Sequence, residues 1–237
     1  MEGKGKLIFT NGNIYEGEFK DSLMNGVGVL TMKSGSTTVY KGNFLNSKMH
    51  GEGVLEYRSG NVYKGNFDSN ILSGQGQLTF SSTGNIYIGE FSNGKMNGPA
   101  KLTFRSGDIF EGNFLNDKII DGTMTFADGG FYLGGFGENT KRHGKGEYRF
   151  PNGDRYNGDW VDGRMNGEGS FHFANGDIYV GDYIDDKKCG NGTLTYANGD
   201  KYVGMFNNNE KHGCGTYFYN DGRTVKGIFE VGEFAHI

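Results

Sequence analysis

The sequence predicts an all-β protein, an elongated single-layer solenoid of stacked antiparallel β-hairpins with no helices of consequence. The first observation is a repeat, because the stretch from Tyr156 to Tyr179 matches other parts of the chain at a spacing of about 23 residues. The second is alternation, since apolar residues stand at every second position of short segments, which is typical of half-buried β-strands. The third is the Gly and Asn between these segments, which tolerate positive φ and favour tight hairpin turns.

Composition agrees with a repeat protein and excludes several classes. The 44 glycines are explained by the repeat, since every copy needs glycine at its turns and close contacts. A net charge of −4 gives no general basis for binding nucleic acid. No apolar run approaches the ~20 residues that span a bilayer, and no apolar N-terminal block resembles a signal peptide. Two cysteines are too few for a disulfide framework, so we expect a reduced cytoplasmic protein.

The repeats form one predicted array over residues 1–237. Residues 1–14 hold the second half of a unit without its first half, which predicts that the chain is the C-terminal part of a longer array. A closing half unit or cap covers residues 225–237. The full units open at Tyr15, Tyr40, Tyr63, Tyr87, Phe110, Tyr132, Tyr156, Tyr179 and Tyr202.

Each full unit is predicted to contain two strands, with Tyr, Phe and Leu on one face and Asn, Asp, Thr and Glu on the other. The fifth unit departs furthest from the template. It opens with Phe110 instead of Tyr, and its segment Lys118–Asp121 lacks the first glycine of the Gly-x-Gly pair. We predict a kink or a change of curvature there, and the alternative is a loop variation that the fold tolerates.

The repeated pattern Tyr-x-Gly-x-(Phe/Trp), then His/Asn-Gly-x-Gly-x-Leu-x-(Phe/Tyr)-x-x-Gly, resembles the membrane occupation and recognition nexus (MORN) repeat. The resemblance extends from Gly3 to about Phe229. It implies a rod of stacked hairpins, which would be roughly 90–100 Å long at ~4.8 Å per strand. The frequent Asn and Lys also resemble the MORN scaffold proteins of apicomplexan parasites, some of which dimerise.

The sequence offers no candidate catalytic residue. The Gly-x-Gly pairs, such as Gly167 and Gly169, lack the following helix and the lysine of a phosphate-binding loop, so we interpret them as packing positions. Every Asp and Glu has counterparts at equivalent positions of other units, as expected for solvated faces and turns. We therefore expect a protein that is not an enzyme.

A cation recurs in the loop between the two strands of a unit. It would form a ridge for anionic lipid headgroups, at up to ~1 kcal/mol per charge, or simply a solvated edge that discourages edge pairing. Glu210 interrupts the series in the ninth unit. The ridge residues are Lys48, Lys95, Lys118, Lys141, Arg164 and Lys187.

The C-terminal units break the polar pattern of the outward face. Positions that are polar in earlier units become Met205, Phe218 and Ile228, which we expect to gather into one apolar patch. Such a patch is typical of a partner surface, and the alternative is a cap formed by Val231, Phe234 and Ile237 of the tail. A two-fold contact between copies closes on itself, so the patch favours a homodimer. The predicted dimer interface is Met205, Tyr217, Phe218, Ile228 and Phe229.

The same end contains the sulfur ligands. Cys/His sets suit tetrahedral zinc, and a dimer would bring the ligands of two copies together. The candidate zinc ligands are Cys189, His212 and Cys214. The alternative is that His212 is a normal residue of the repeat and not a metal ligand, because His50 and His143 occupy similar loop positions. Zinc is possible and no cofactor is required.

The favoured function is therefore a homodimeric scaffold, peripheral at a membrane-linked cytoskeletal structure, with cytoskeletal or membrane-associated proteins as partners. One alternative is a module that binds phosphoinositide or other anionic lipid and tethers a membrane. A second alternative is the targeting segment of a larger enzyme.

Overall fold

A computed structural model describes residues 1–235 and groups the chain into two compact units, Met1–Ile119 and Ile120–Ile237. The boundary falls inside the irregular fifth repeat. Within each unit the strands follow one another in sequence order, and each strand pairs antiparallel with the next. The all-β class and the single-layer stack of antiparallel hairpins are thus confirmed in both units.

The first unit is built from ten strands and the start of an eleventh. These are β1 (Gly3–Ile8), β2 (Ile14–Lys20), β3 (Leu23–Thr31), β4 (Thr37–Leu45), β5 (Lys48–Tyr57), β6 (Val62–Asp68), β7 (Ile71–Thr79), β8 (Ile86–Ser92), β9 (Lys95–Thr103), β10 (Ile109–Leu115) and the first residues of β11 (Lys118–Thr125). The extra residues before Tyr40 are absorbed as a register shift between Thr37 and Val39.

The second unit continues with the rest of β11 and ten further strands. These are β12 (Phe131–Phe136), β13 (Arg142–Arg149), β14 (Arg155–Val161), β15 (Arg164–His172), β16 (Ile178–Ile184), β17 (Lys187–Thr195), β18 (Lys201–Asn207), β19 (Glu210–Phe218), β20 (Thr224–Glu230) and β21 (Glu233–Phe234). Within residues 1–235 the helical structure is one 3-10 turn, Glu138–Thr140, and no helix is long and apolar enough to cross a bilayer.

The hairpin turns inside the repeats follow from residues that tolerate positive φ. The turn after β2 places Asp21 at φ 52° and Ser22 at φ 61°, and the turn after β18 places Asn208 at φ 49° and Asn209 at φ 75°. Two consecutive positive φ values define the mirror-image turn that matches the twist of paired strands. Asp, Asn and Ser at these positions therefore fix the hairpins.

Aromatic rings form the core of each unit. The ring that opens a repeat is fully buried, as for Tyr15, and contacts Phe19 of its own hairpin at 5.1 Å and Phe44 of the next hairpin at 4.9 Å, edge to face. Edge-to-face contacts of this kind are favourable beyond the buried area. The same alternation links Tyr156 to Trp160 and Tyr183 in the second unit. A sheet of one layer thereby obtains a continuous core.

Each opening tyrosine lies flat over the glycine pair of its hairpin. A Cβ atom on Gly65 or Gly76 would come within 2.4 Å of the Tyr63 hydroxyl, so a side chain would displace the ring. The hydroxyl donates to the main-chain oxygen of Asn66 at 2.9 Å. The second glycine of a predicted Gly-x-Gly pair, such as Gly169 under Tyr156, is thus confirmed as a packing position, whereas the first, such as Gly167, is required by its positive φ of 61°.

Turn side chains join successive hairpins. The second turn residue of one hairpin accepts the main-chain N–H of the preceding hairpin, as Asn70 does from Met49 at 2.8 Å and Asp186 does from Met165 at 2.8 Å. At the opposite edge Asp177 accepts the N–H of Ala197 at 2.9 Å. Neighbouring repeats are therefore connected along both edges, in addition to the strand ladders.

Candidate protein interaction surface

An apolar row crosses the outer face of β18, β19 and β20. Cys214 stands opposite Ile228 in the ladder. The register on the other side of β19 passes from Gly204–Gly215 to Phe206–Lys211, so Met205 faces residues 212–214. Met205 and Ile228 are 44% and 43% exposed, and Cys214 is exposed as well. We call Met205, Cys214 and Ile228 the apolar row.

Most earlier repeats have a polar side chain at the position of Met205 and Ile228, and several of these side chains make specific hydrogen bonds. The position of Cys214 varies more and is Val27 in the first repeat. Asn43 donates to the Glu52 main-chain oxygen at 3.1 Å, and Asn66 donates to that of Gln75 at 3.2 Å. A Met or Ile side chain makes no such bond and leaves apolar surface in water. Val203 on β18, 39% exposed, extends the apolar surface toward Thr216.

The structure does not bring Phe218 into the apolar row. Phe218 stands opposite Lys201 on one side and Thr224 on the other. The ammonium of Lys201 lies 5.1 Å from the centre of its ring. Four residues separate it from Cys214 on the same strand, about 13 Å at the rise of a β-strand. The expectation of one patch containing Met205, Phe218 and Ile228 is therefore corrected to a row without Phe218.

Two other residues of the predicted interface lie on the core face. Phe229 is 3% exposed and contacts Tyr202 at 4.8 Å. Tyr217 is half-buried and donates to the Asp200 carboxylate at 2.9 Å. Burial and that carboxylate raise the pKa of Tyr217, while the N–H of Asn220 and the Tyr217 hydroxyl hold the pKa of Asp200 low. Placing Tyr217 and Phe229 at the partner surface was wrong, because alternation turns both inward.

The chain after β20 folds back, as the cap alternative predicted. β21 pairs with the end of β20 through Phe229–Phe234 and Glu230–Glu233, and Ala235 donates its N–H to the Ile228 oxygen at 2.9 Å. Phe234 contacts Phe229 at 5.6 Å. Ile237, the third residue of the predicted cap, lies outside the described residues.

The predicted cation ridge lies at the hairpin turns, and its six side chains are exposed. Arg164 pairs with Asp185 at 3.3 Å, and Lys187 donates to Asn208 at 3.2 Å. The ladder also places an exposed aliphatic side chain opposite several of the cations. These pairs are Leu45–Lys48, Val161–Arg164 and Ile184–Lys187.

The candidate zinc ligands do not converge within one chain. Cys189 pairs with Asp182, and Cys214 pairs with Ile228 on a different strand. Burial and the neighbouring Asp182 raise the pKa of the Cys189 thiol, which disfavours the thiolate that binds zinc. Among residues 1–235 no three His, Cys, Asp or Glu side chains are placed to hold a metal. A site shared between two copies stays a prediction.

Open grooves run across the outer face where the glycine pairs bend the strands. The groove of about 590 Å³ in the first unit is lined by Lys41, Glu52, Lys64, Gln75, Gln77 and Ile88, among others. A groove of about 750 Å³ in the second unit is lined by Lys145, Asn157, Glu168, Val180, Asp182 and Asn191, among others. Both grooves combine charged and polar side chains with exposed aliphatic ones, Ile88 in the first and Val180 in the second.

A family model decides what kind of repeat this is. The MORN repeat matches residues 1–14, 15–37, 40–62, 63–84, 87–109, 132–155, 156–178, 179–201 and 202–222. The chain belongs to the MORN repeat family. The MORN segments after the first begin at the opening aromatic residues that the sequence predicts. The stretch 110–131, which holds the irregular fifth repeat, lies between two matched segments.

Solved structures similar to this MORN chain include TCP domains of CPAP proteins. The TCP10 domain of Danio rerio CPAP in complex with a STIL peptide is 12% identical, with a TM-score of 0.46 over 96% of this chain and 100% of that one. The SAS-4 (dCPAP) TCP domain of Drosophila melanogaster, in complex with a proline-rich motif of Ana2, is 16% identical, with a TM-score of 0.31 over 74% and 83%. These low values do not extend the likeness to function. A search of curated protein sequences finds no match.

Three inward-facing cations of the MORN chain are absent from the sequence prediction. Arg142, Lys188 and Lys211 stand where other repeats have Met, Leu or Ile, and burial lowers the pKa of each. Arg142 lies over the rings of Tyr148 and Trp160 at 4.7 and 4.2 Å. The sequence feature that could have predicted these cations is a charged residue at a position where the other repeats have an apolar side chain. These cations stabilise the aromatic core by cation–π contact.

Proposed function

We propose that this MORN chain is a non-enzymatic scaffold that forms a homodimer through the outer face of β18–β20. The observation that carries the proposal is the apolar row, in which Met205 and Ile228 stand where earlier repeats have hydrogen-bonded polar side chains. Exposed apolar side chains that are neighbours on three adjacent strands are typical of a partner surface. The scaffold would be a peripheral cytoplasmic component of a membrane-linked cytoskeletal structure.

A second copy is the partner that the row fits best. Its side chains are uncharged, so two copies of the row can meet without burying an unpaired charge. A two-fold contact uses the same surface of both molecules and stops at two copies. The grooves of the outer face and the turn edges of each copy then remain available to other proteins.

Multi-angle light scattering over a concentration series tests this proposal. We expect a mass of twice the 26.0 kDa chain at micromolar concentration and above. A mass of one chain throughout the series would show that the apolar row does not join copies of this protein.

A second candidate is a module that binds anionic membranes through the hairpin turns. The supporting observation is the pairing of exposed cations with exposed aliphatic side chains, since both groups contribute to binding at a bilayer surface. The acidic turn residue Asp185 beside Arg164 opposes this reading, so we rank it second.

Vesicle sedimentation tests the second candidate. The chain should bind phosphatidylserine vesicles and should not bind phosphatidylcholine vesicles. Binding to phosphatidylserine should weaken with added salt. Changing Lys48, Lys95, Lys141 and Lys187 to Gln should abolish it, whereas changing Lys41, Lys64, Lys101 and Lys145 should not. Equal loss in both variants would assign any binding to net charge rather than to the turn edge.

A further inference from the structure

We infer that the segment from Val231 to Ala235 exchanges between the two copies of the dimer, so that Phe234 of each copy packs over Gly227 of the other. We call the place over Gly227, where a complete hairpin has its opening tyrosine, the notch. This inference rests on the proposed homodimer and specifies a residue that the partner contributes. Three observations support it: the notch, the segment that occupies the notch, and the strained turn that joins this segment to β20.

The notch exists because β20 lacks its opening tyrosine. Val225 stands at the position held by Tyr202 in the preceding hairpin, so no ring of its own covers Gly227. A Cβ atom on Gly204 would meet the Tyr202 hydroxyl at 2.5 Å. A Cβ atom on Gly227 would instead meet the ring of Phe234 at 2.4 Å. Phe234 thus supplies the aromatic ring that every complete hairpin supplies from its own first strand.

The fit of this ring is incomplete, and the segment is held by few contacts. A cavity of about 250 Å³ remains beside it, lined by Lys211, Tyr217, Tyr219 and Val225 among others. Two ladder pairs, the Ala235 hydrogen bond and the contact of Phe234 with Phe229 connect the segment to β20, and the Gly232 N–H donates to the Lys211 oxygen of β19 at 3.0 Å. Phe234 is 37% exposed, in contrast to the fully buried tyrosines. The segment can therefore leave the notch at small cost, and the notch accepts the same segment from another chain.

The turn that joins the segment to β20 favours opening. Val231 has φ 48°, a conformation that the equivalent turns give to Asp, Asn or Ser. A β-branched residue is strongly disfavoured there, because its side chain crowds the backbone. An extended hinge between two copies relieves this strain at Val231. Short strained hinges are a recognised cause of segment exchange.

The notch also adjoins the proposed interface. The Ile228 oxygen accepts the N–H of Ala235, while the Ile228 side chain belongs to the apolar row on the outer face. A dimer formed through that row brings the two β20 strands near each other. Since the notch lies on the core face, an opened segment reaches it in the partner by passing around the edge of β20.

Cross-linking distinguishes an exchanged segment from a closed one. Glu230 and Glu233 are ladder partners across the turn, so Glu230→Cys and Glu233→Cys place two thiols together in either arrangement. With Cys189→Ser and with Cys214→Val, which keeps the apolar row apolar, a short bis-maleimide should yield covalent dimers on a denaturing gel. The control pair, Asn207→Cys and Glu210→Cys across the β18–β19 turn, should yield only monomers.

The hinge variant Val231→Asn provides a second measurement. Asn adopts the positive φ without strain, so the closed hairpin becomes more stable relative to the exchanged arrangement. The cross-linked fraction should therefore fall roughly tenfold. Monomeric products from the Glu230–Glu233 pair, in a sample that light scattering shows to be dimeric, would overturn the exchange and leave the homodimer standing. A single-chain mass in light scattering would overturn both.

Discussion

At the scale of single residues, the structure depends on tyrosine rings held flat over glycine pairs. Burial raises the pKa of Tyr40, Tyr63 and Tyr87 to about 12, because the ionised phenol loses its water. The neutral hydroxyl donates to a main-chain oxygen three residues on, as Tyr63 does to Asn66. Ionisation removes that proton, so the folded state binds it more tightly than the unfolded chain.

This difference predicts unfolding at alkaline pH. The contribution of the buried tyrosines is fully present below their unfolded pKa near 10 and is lost as pH rises toward about 12. Circular dichroism and tyrosinate absorbance should therefore change together in this interval. Tyr63→Phe should make the loss of stability with pH less steep. Ionisation of the buried tyrosines near pH 10 with the β-structure intact would contradict the buried core.

The faces of the C-terminal strands were only partly predicted from the sequence. Alternation correctly predicted that Met205 and Ile228 point outward, but the same rule applied to Phe229 and Tyr217 places them inward. Their inclusion in the interface neglected the parity of the strand. The strained Val231 was visible in the sequence as a β-branched residue at a turn position of Asp, Asn and Ser, and it was not recognised as a turn residue.

At the scale of the strands and turns, side-chain acceptors in the turns couple each hairpin to its neighbour. Asp186 has φ 67° and accepts the Met165 N–H at 2.8 Å, and Asn209 makes the equivalent bond to Lys188 at 2.8 Å. One residue type thus satisfies the turn conformation and the link between repeats at once. Short polar side chains at these positions are required for both reasons.

Asp186 variants test this coupling. Asp186→Ala should lower the free energy of unfolding by about 1–3 kcal/mol, since it leaves an N–H unpaired and puts alanine at positive φ. Asp186→Asn should be nearly neutral, because Asn70 and Asn209 perform the same role. Urea denaturation measures both. Equal loss in the two variants would indicate that charge, rather than the hydrogen bond, is what matters at this turn.

Strand register explains why the outer surface was only partly predictable. The repeat period gives each position its face, but the shift between Gly204 and Phe206 decides which residues become neighbours. That shift puts Met205 beside residues 212–214 and leaves Phe218 with Lys201. The aliphatic partners of the cation ridge likewise follow from pairing across the turns, which a comparison of repeats by position does not show.

At the scale of the whole molecule, residues that obey the repeat build the fold and residues that depart from it define the proposed interface. The repeat period, the strands and the aromatic face followed from the sequence, because one packing solution is used many times. The apolar row and the notch filled by Phe234 are single features. They depend on the particular residues of β18–β21, so only the structure relates them to one another.

The most direct test of this account is the mass of Ile228→Glu, measured by light scattering beside Asn66→Glu. Both variants introduce a carboxylate at the same outward position of a repeat. Ile228 belongs to the apolar row, whereas Asn66 lies outside it, in the compact unit Met1–Ile119. We predict the mass of one chain for Ile228→Glu, because a buried unpaired charge opposes association, and a dimer for Asn66→Glu. Circular dichroism confirms that both are folded. A dimer that persists in Ile228→Glu would contradict the proposed interface.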